Sequence, residues 1–164
     1  MKNLIIIRHA KAEPATTSLG DIDRPLNDRG KRDALLMGGV LKARGVEPDV
    51  IVSSPARRAA ETAERIAEAV GYDSNRIAMY DSVYLQEASR LFELIRSLDD
   101  VHHRAYLIGH NPHLSELVAR LTGEGVGQLP TCGVAAIEFA VDAWAYVMEG
   151  SGRLVFLEFP KQHP

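Results

Sequence analysis

An arginine followed directly by a histidine closes the first apolar run of the chain, Leu4-Ile5-Ile6-Ile7-Arg8-His9. A second histidine follows a later run, where Ala105 to Ile108 leads into Gly109-His110-Asn111-Pro112. Between the two, Val50-Ile51-Val52 ends in Ser53-Ser54-Pro55, with Arg57-Arg58 just beyond. Imidazole is available as a nucleophile near neutral pH, because its unperturbed pKa is about 6.5. Guanidinium stays charged at any working pH and offers forked donors that match phosphoryl oxygens. A histidine held beside fixed positive charge is placed to meet an anion. His9 is therefore the candidate nucleophile for a phosphoryl group, and Arg8 a residue that helps hold it.

These residues are far apart along the chain, so the fold must gather them. Short runs of branched apolar residues read as buried parallel strands. The segments between them read as helices. Asn27 caps a segment with Ala34, Met37 and Leu41 on one face, ending at Gly45. Ala59, Ala63, Ile66, Ala67 and Val70 repeat at helical spacing up to Gly71. So do Leu91, Leu94, Ile95 and Leu98, and then Leu114, Leu117, Val118 and Leu121 before Gly123. Ser54-Pro55 reads as a helix start with proline in the first turn. A weak strand is expected around Ile77 to Tyr80. Near the C-terminus, Ala135, Ile137, Phe139 and Val141 fall at alternate positions, as do Val155, Leu157 and Phe159. Gly150-Ser151-Gly152 then predicts a hairpin-like antiparallel edge. Strands alternating with helices predict an α/β three-layer sandwich, a mostly parallel sheet with helices on both faces. Parallel strands deliver their carboxyl ends to one edge, where ligands bind in open α/β sheets. Arg8-His9, Ser53-Ser54-Pro55 with Arg57-Arg58, and Gly109-His110 are expected to converge there. The polar stretch from Ala10 to Asn27 is a loop of a length more often functional than idle.

The totals narrow the function classes. A chain of 164 residues is one domain, 1–164, on ordinary length priors. Hydrophobic and charged fractions of 46% and 25% are those of a globular protein. A net charge of −3 gives no bulk basic field for nucleic acid. The single cysteine, Cys132, forms no internal disulfide, which suits a reducing compartment. Four strongly apolar residues before Arg8 are too few for a signal-peptide core, and no run approaches the ~20 of a membrane helix. A cytoplasmic protein with neither nucleic-acid nor membrane partners is expected. The sequence leaves the oligomeric state open.

Four pieces of the chain, taken in order, resemble one family. They are Arg-His-Ala-Lys-Ala-Glu at Arg8 to Glu13, Asp-x-x-Arg-Pro-Leu at Asp21 to Leu26, Ser-Ser-Pro-Ala-Arg-Arg-Ala at Ser53 to Ala59, and Gly-His-Asn-Pro at Gly109 to Pro112. Together they resemble the histidine phosphatase superfamily, and within it the small SixA-like branch of phosphohistidine phosphatases. The resemblance implies a phosphoglycerate mutase-like fold and hydrolysis through a phosphohistidine intermediate. By position, His9 matches the histidine that is phosphorylated and Arg8 the arginine beside it. Arg58 matches the arginine of the helix after the second strand, and His110 the second pocket histidine. Arg24 matches an arginine that this branch brings to the phosphate from the first loop; the alternative is a surface pair with Asp21 or Asp23. Asn111 and Ser54 are expected to support the phosphate. The implied substrate is a phosphohistidine on a protein. A small phosphorylated metabolite is the same-fold alternative, and a phosphate-binding module without turnover the alternative from another class.

The remaining residues sort around that expectation. No metal or other cofactor is required, since arginines and an imidazolium neutralise the transferring group. His110 and His113 lie three apart, but Pro112 stands between them and no third ligand is in sight. Expelling an alkoxide from an ester needs a proton donor, whereas imidazole leaves more easily from phosphohistidine. Glu87 is the candidate general acid; the other reading is a solvated residue near a helix start. Arg57, His102 and His103 read as solvated, His163 as part of a fraying tail, Cys132 as structural and Trp144 as packing.

Overall fold

Four consecutive branched side chains give β1 (Lys2–Arg8) two apolar faces, and the strand lies inside the sheet with both covered. The computed structural model describes residues 1–84 and 87–164. Leu4 and Ile6 enter one hydrophobic core, Ile5 and Ile7 the other. The partners of β1 are β4 (Arg104–Gly109), parallel, and β5 (Val134–Phe139), antiparallel. With β2 (Val50–Ser53), β3 (Ala78–Met79) and β6 (Arg153–Glu158) they form a six-stranded sheet of order β3-β2-β4-β1-β5-β6. The first four strands in that order are mutually parallel, and β6 runs antiparallel to β5.

Two helices cover each face. Met37 and Leu41 of α1 (Asp28–Ala43) and Ala63 and Ile66 of α2 (Arg57–Val70) pack on the Ile5 and Ile7 side. Leu91 and Ile95 of α3 (Ala88–Arg96) and Leu117 and Leu121 of α4 (His113–Thr122) pack on the Leu4 and Ile6 side. Each of these fully buried Leu, Ile and Met side chains contributes roughly 1.5–3 kcal/mol. The architecture is the three-layer α/β sandwich expected. Asn27 caps α1, its Oδ1 accepting the Gly30 N–H at 2.8 Å. α1 and α2 cross so closely that a Cβ on Gly38 would lie 2.6 Å from that of Ala69. Among the described residues, no helix is long and apolar enough to cross a membrane.

Two local expectations are corrected. Pro55 is not in the first turn of α2, which begins at Arg57 with Ala56 as its cap. The reason lies in Ser54, whose N–H donates to Ile108 O at 3.0 Å and so continues the extended path beside β4. Gly150-Ser151-Gly152 does not make a tight hairpin. The link between β5 and β6 runs through residues 140–152 and includes a 3-10 turn, Trp144–Tyr146. The N–H groups of Gly150 and Gly152 instead bind Arg120 O and Leu121 O, each at 2.8 Å, so the glycines fold onto the end of α4. Trp144 is fully buried and pins the link, its Nε1–H donating to His102 O at 2.9 Å.

Candidate active site

The carboxyl ends of β1, β2 and β4 meet at one edge of the sheet, because these strands run parallel and in register: Arg8 stands opposite Gly109, and Ser53 opposite Ile108. The residue after each strand therefore faces the same space. His9 and His110 lie there with ring centroids 5.2 Å apart and planes tilted by 53°. The His9 backbone N–H extends the ladder to Gly109 O at 3.0 Å. β5 runs the other way and brings its beginning to the edge: Cys132 N–H donates to His9 O at 3.1 Å, and Arg8 N–H to Gly133 O at 3.0 Å.

The His9 ring has a defined tautomer. Its Nδ1 is 2.8 Å from Ala10 O, and a carbonyl can only accept. Nδ1 therefore carries the proton, and Nε2 keeps its lone pair. Ala10 is fixed in turn, since its N–H donates to Thr62 Oγ1 at 3.0 Å and that hydroxyl donates to Arg58 O at 2.7 Å. Thr62 of α2 thus couples the exit of β1 to the helix that carries Arg58. Burial chiefly, then the positive charges of Arg58, Arg8 and Arg24, push the His9 pKa down to about 4. His110 is pushed down to about 3, mainly by burial and then by His9 and Arg58. Both rings are neutral at pH 7. The imidazolium anticipated for His110 is thus absent from the free pocket, because desolvation outweighs any gain from its charge. His110 Nε2 pairs with Ser54 Oγ at 2.8 Å, and the same oxygen accepts the Ala56 N–H at 3.1 Å.

Guanidiniums flank the rings. The Arg58 side chain is buried; its Nη1 donates to Asp21 O at 2.7 Å and its Nη2 to Asp21 Oδ2 at 3.1 Å. Arg24 donates to Glu13 O at 2.7 Å and to Asp21 Oδ1 at 3.1 Å. Arg24 thus pairs with Asp21, and its charge is felt at His9. Arg8 Nη1 donates to Leu129 O at 2.9 Å, and Asn111 Nδ2 reaches the same carbonyl at 2.9 Å. Asn111 Oδ1 accepts from the Ser115 hydroxyl at 2.7 Å, so its amide is committed to holding the 129 loop. Arg8 Nε, Arg58 Nε and His110 Nδ1 are buried and meet no partner among the described residues. Arg57 points away and pairs with Glu61 at 3.2 Å. Glu87 stands exposed at the start of α3. Leu85 and Gln86, which precede it, lie outside the described residues. No three His, Cys, Asp or Glu side chains gather as a metal site among the described residues.

Sequence reasoning offered Asp21 only as a surface partner of Arg24 and missed Tyr84. Asp21 joins Arg24, Arg58 and Tyr84, and its carboxyl is held near 2, first by the Tyr84 hydroxyl at 2.7 Å and then by the arginines. A signal existed, since a carboxylate three residues before Arg24 is within pairing reach. Tyr84 also packs its ring edge-on to His110, with centroids 5.5 Å apart. A lone tyrosine in a loop gave no such signal.

A family model described as histidine phosphatase superfamily (branch 1) matches residues 4–80, which run from β1 through β3 and hold Arg8, His9, Arg24 and Arg58. The fold agrees over nearly the whole chain with a solved structure of the protein histidine phosphatase SixA complexed with tungstate. The TM-score is 0.85, with 22% identity and 99% of each chain covered. The chain belongs to the histidine phosphatase superfamily. A protein assigned as the phosphohistidine phosphatase SixA of Agrobacterium tumefaciens is 26% identical, with TM-score 0.83 over 97% of this chain and 98% of that one. An uncharacterised protein of Mycobacterium tuberculosis is 31% identical over 94% of this chain and 100% of its own. A mycobacterial glucosyl-3-phosphoglycerate phosphatase shares the fold at TM-score 0.69 and 16% identity, covering 94% and 97%. This histidine phosphatase superfamily member is thus a hydrolase of the phosphatase kind. His110 lies beyond the matched residues 4–80, and the sheet register is what brings it to His9.

Proposed function

We propose that residues 1–164 act as one histidine phosphatase domain that hydrolyses phosphohistidine on a protein through a phospho-His9 intermediate. The observation that carries this reading is the Nδ1–H bond of His9 to Ala10 O, which leaves Nε2 a free lone pair 5.2 Å, centroid to centroid, from a second neutral imidazole. Nε2 attacks the phosphorus, and the substrate's imidazole nitrogen leaves with the bonding pair. Charge on the three equatorial oxygens is met by Arg8, Arg58 and Arg24. Buried donors without partners cost roughly 1–3 kcal/mol each, and those oxygens offer partners to Arg8 Nε and Arg58 Nε. Water then attacks phospho-His9, breaks the P–N bond and returns the ring to its starting tautomer. Ser54 orients His110, while Asn111 orients Arg8 through Leu129 O.

The preference for phosphohistidine rests on the acid chemistry. Asp21 is the carboxylate nearest the arginines, and at about 2 it is ionised at any working pH and has no proton to give. Glu87 is exposed at the start of α3. A leaving imidazole needs less help than an alkoxide. The likeness to SixA structures supports a phosphoprotein substrate. The shared fold of a glucosyl-3-phosphoglycerate phosphatase supports a small phosphorylated metabolite as the second reading. The test is transfer of radiolabel from a phosphohistidine protein. Label is expected to pass through His9 and to be lost to water, and no labelled intermediate should form with His9→Ala. Glu87→Gln should leave this substrate unaffected. A sharp loss on an alkyl phosphate, with poor turnover of the phosphoprotein, would favour the metabolite.

A further inference from the structure

Beside the catalytic edge runs an open groove of about 540 Å³ between the 126–131 segment, the first turns of α1 and the C-terminal residues. Its apolar lining includes Leu129, Leu157, Phe159 and Pro160, and its charged lining includes Lys11 and Lys161. Arg29 and Asp33 also border it but pair with each other at 3.6 Å. Neither Lys11 nor Lys161 has a carboxylate within ion-pair reach among the described residues. The groove thus presents two uncompensated ammonium groups around an apolar patch, on a protein whose net charge is −3.

The groove is continuous with the site. Its 129–131 wall leads straight into Cys132 and Gly133, whose backbones bond His9 and Arg8, and Leu129 O holds the Arg8 guanidinium. Lys11 is two residues beyond His9. A protein that presents its phosphorylated side chain to His9 would therefore lay neighbouring surface over this groove. We propose that the groove docks an acidic, partly apolar segment of the phosphoprotein substrate, with its carboxylates against Lys11 and Lys161. This rests on the reading of a protein substrate given above. Charges at the rim of an interface act mainly through encounter rate and specificity and are weakened by salt.

The test uses the full chain and three probes: an acidic phosphotransfer protein and a basic histone, both phosphorylated on histidine with phosphoramidate, and free phosphohistidine. The unaltered protein should prefer the acidic probe over the histone by about tenfold in kcat/KM, less at high salt. Lys11→Gln/Lys161→Gln should remove most of that preference by raising KM, with turnover of free phosphohistidine within about twofold. Lys161→Glu alone should act in the same direction and leaves the neighbourhood of His9 untouched. A full preference retained in both variants would overturn the groove as the docking surface. So would an equal loss on free phosphohistidine. If the unaltered protein hydrolyses free phosphohistidine but neither phosphoprotein, the protein-substrate reading itself fails, and the docking proposal with it.

Discussion

Acidifying the protein tests whether the two imbedded imidazoles are neutral. Burial and three guanidiniums hold His9 near 4, and burial with His9 and Arg58 holds His110 near 3. At pH 5 an ordinary histidine, pKa about 6.5, is about 97% protonated, whereas a ring at 4 is only about one-tenth protonated. The chain has six histidines, so the imidazole carbon-bound proton signals can be assigned with His9→Gln and His110→Gln and followed by NMR from pH 8 to 3. Both pocket rings should stay flat to about pH 5 and then move. Folding stability follows with a definite sign. The unfolded chain takes up these protons near 6.5 and the folded one only near 4 and 3, so the stabilisation is complete above about 6.5. It is lost as pH falls from there toward 4, on the order of 3 kcal/mol for His9 alone. Tungstate in the pocket should raise both midpoints by about one pH unit or more, because an anion favours imidazolium. A His9 signal that titrates near 6.5 in the free protein would refute the reasoning. Midpoints indifferent to tungstate would put the anion somewhere other than between these rings.

Three further outcomes follow from particular contacts. Asp21→Asn removes the shared carboxylate of Arg24, Arg58 and Tyr84. As Asp21 is 46% exposed, screening limits its stabilisation to about 1 kcal/mol, present above pH 3.8 and lost as pH falls toward 2, by thermal unfolding; kcat/KM on phosphohistidine should fall about tenfold as Arg58 loses its alignment. Ser54→Ala strips the partner from His110 Nε2 and from the Ala56 N–H. It should cost about 1–3 kcal/mol in denaturant unfolding and slow loss of label from phospho-His9. Gly30→Ala would place a Cβ 2.0 Å from Lys11 O, so the first loop must shift. A loss of about 1–3 kcal/mol is expected, together with slower His9 labelling.

Much of the fold was legible because its signals are local. The apolar runs of β1, β2 and β4, the Asn27 cap and the glycine stops of α2 and α4 each depend on a few adjacent residues. What escaped depends on distant partners. Ser54-Pro55 looked like a helix start, but the Ser54 N–H was claimed by Ile108 O across the sheet. The 140–152 link looked like a hairpin, but its glycines bind the end of α4. The period of two marked β5 as a strand but not its place between β1 and β6, where it is buried nearly throughout. At the candidate site, the meeting of Arg8, His9 and His110 was readable from where apolar runs stop, and Arg58 was singled out by the family resemblance. Asp21 and Tyr84 were not readable, since their roles appear only when the first loop and the segment before α3 meet over Arg58.

The reversed direction of β5 divides labour between the two rims of the sheet. The candidate catalytic rim receives the chain exits after β1, β2, β3, β4 and β6, and one entrance, the 129–133 segment feeding β5. The winding 140–152 link sits at the opposite rim, anchored to Arg120, Leu121 and His102. Insertions there can lengthen or reshape the molecule without reaching His9. A single residue gained or lost between Gly123 and Gly133, in contrast, would be transmitted directly to the carbonyl that steadies Arg8. Evolutionary tinkering with what this scaffold accepts therefore has a natural address on that short entrance.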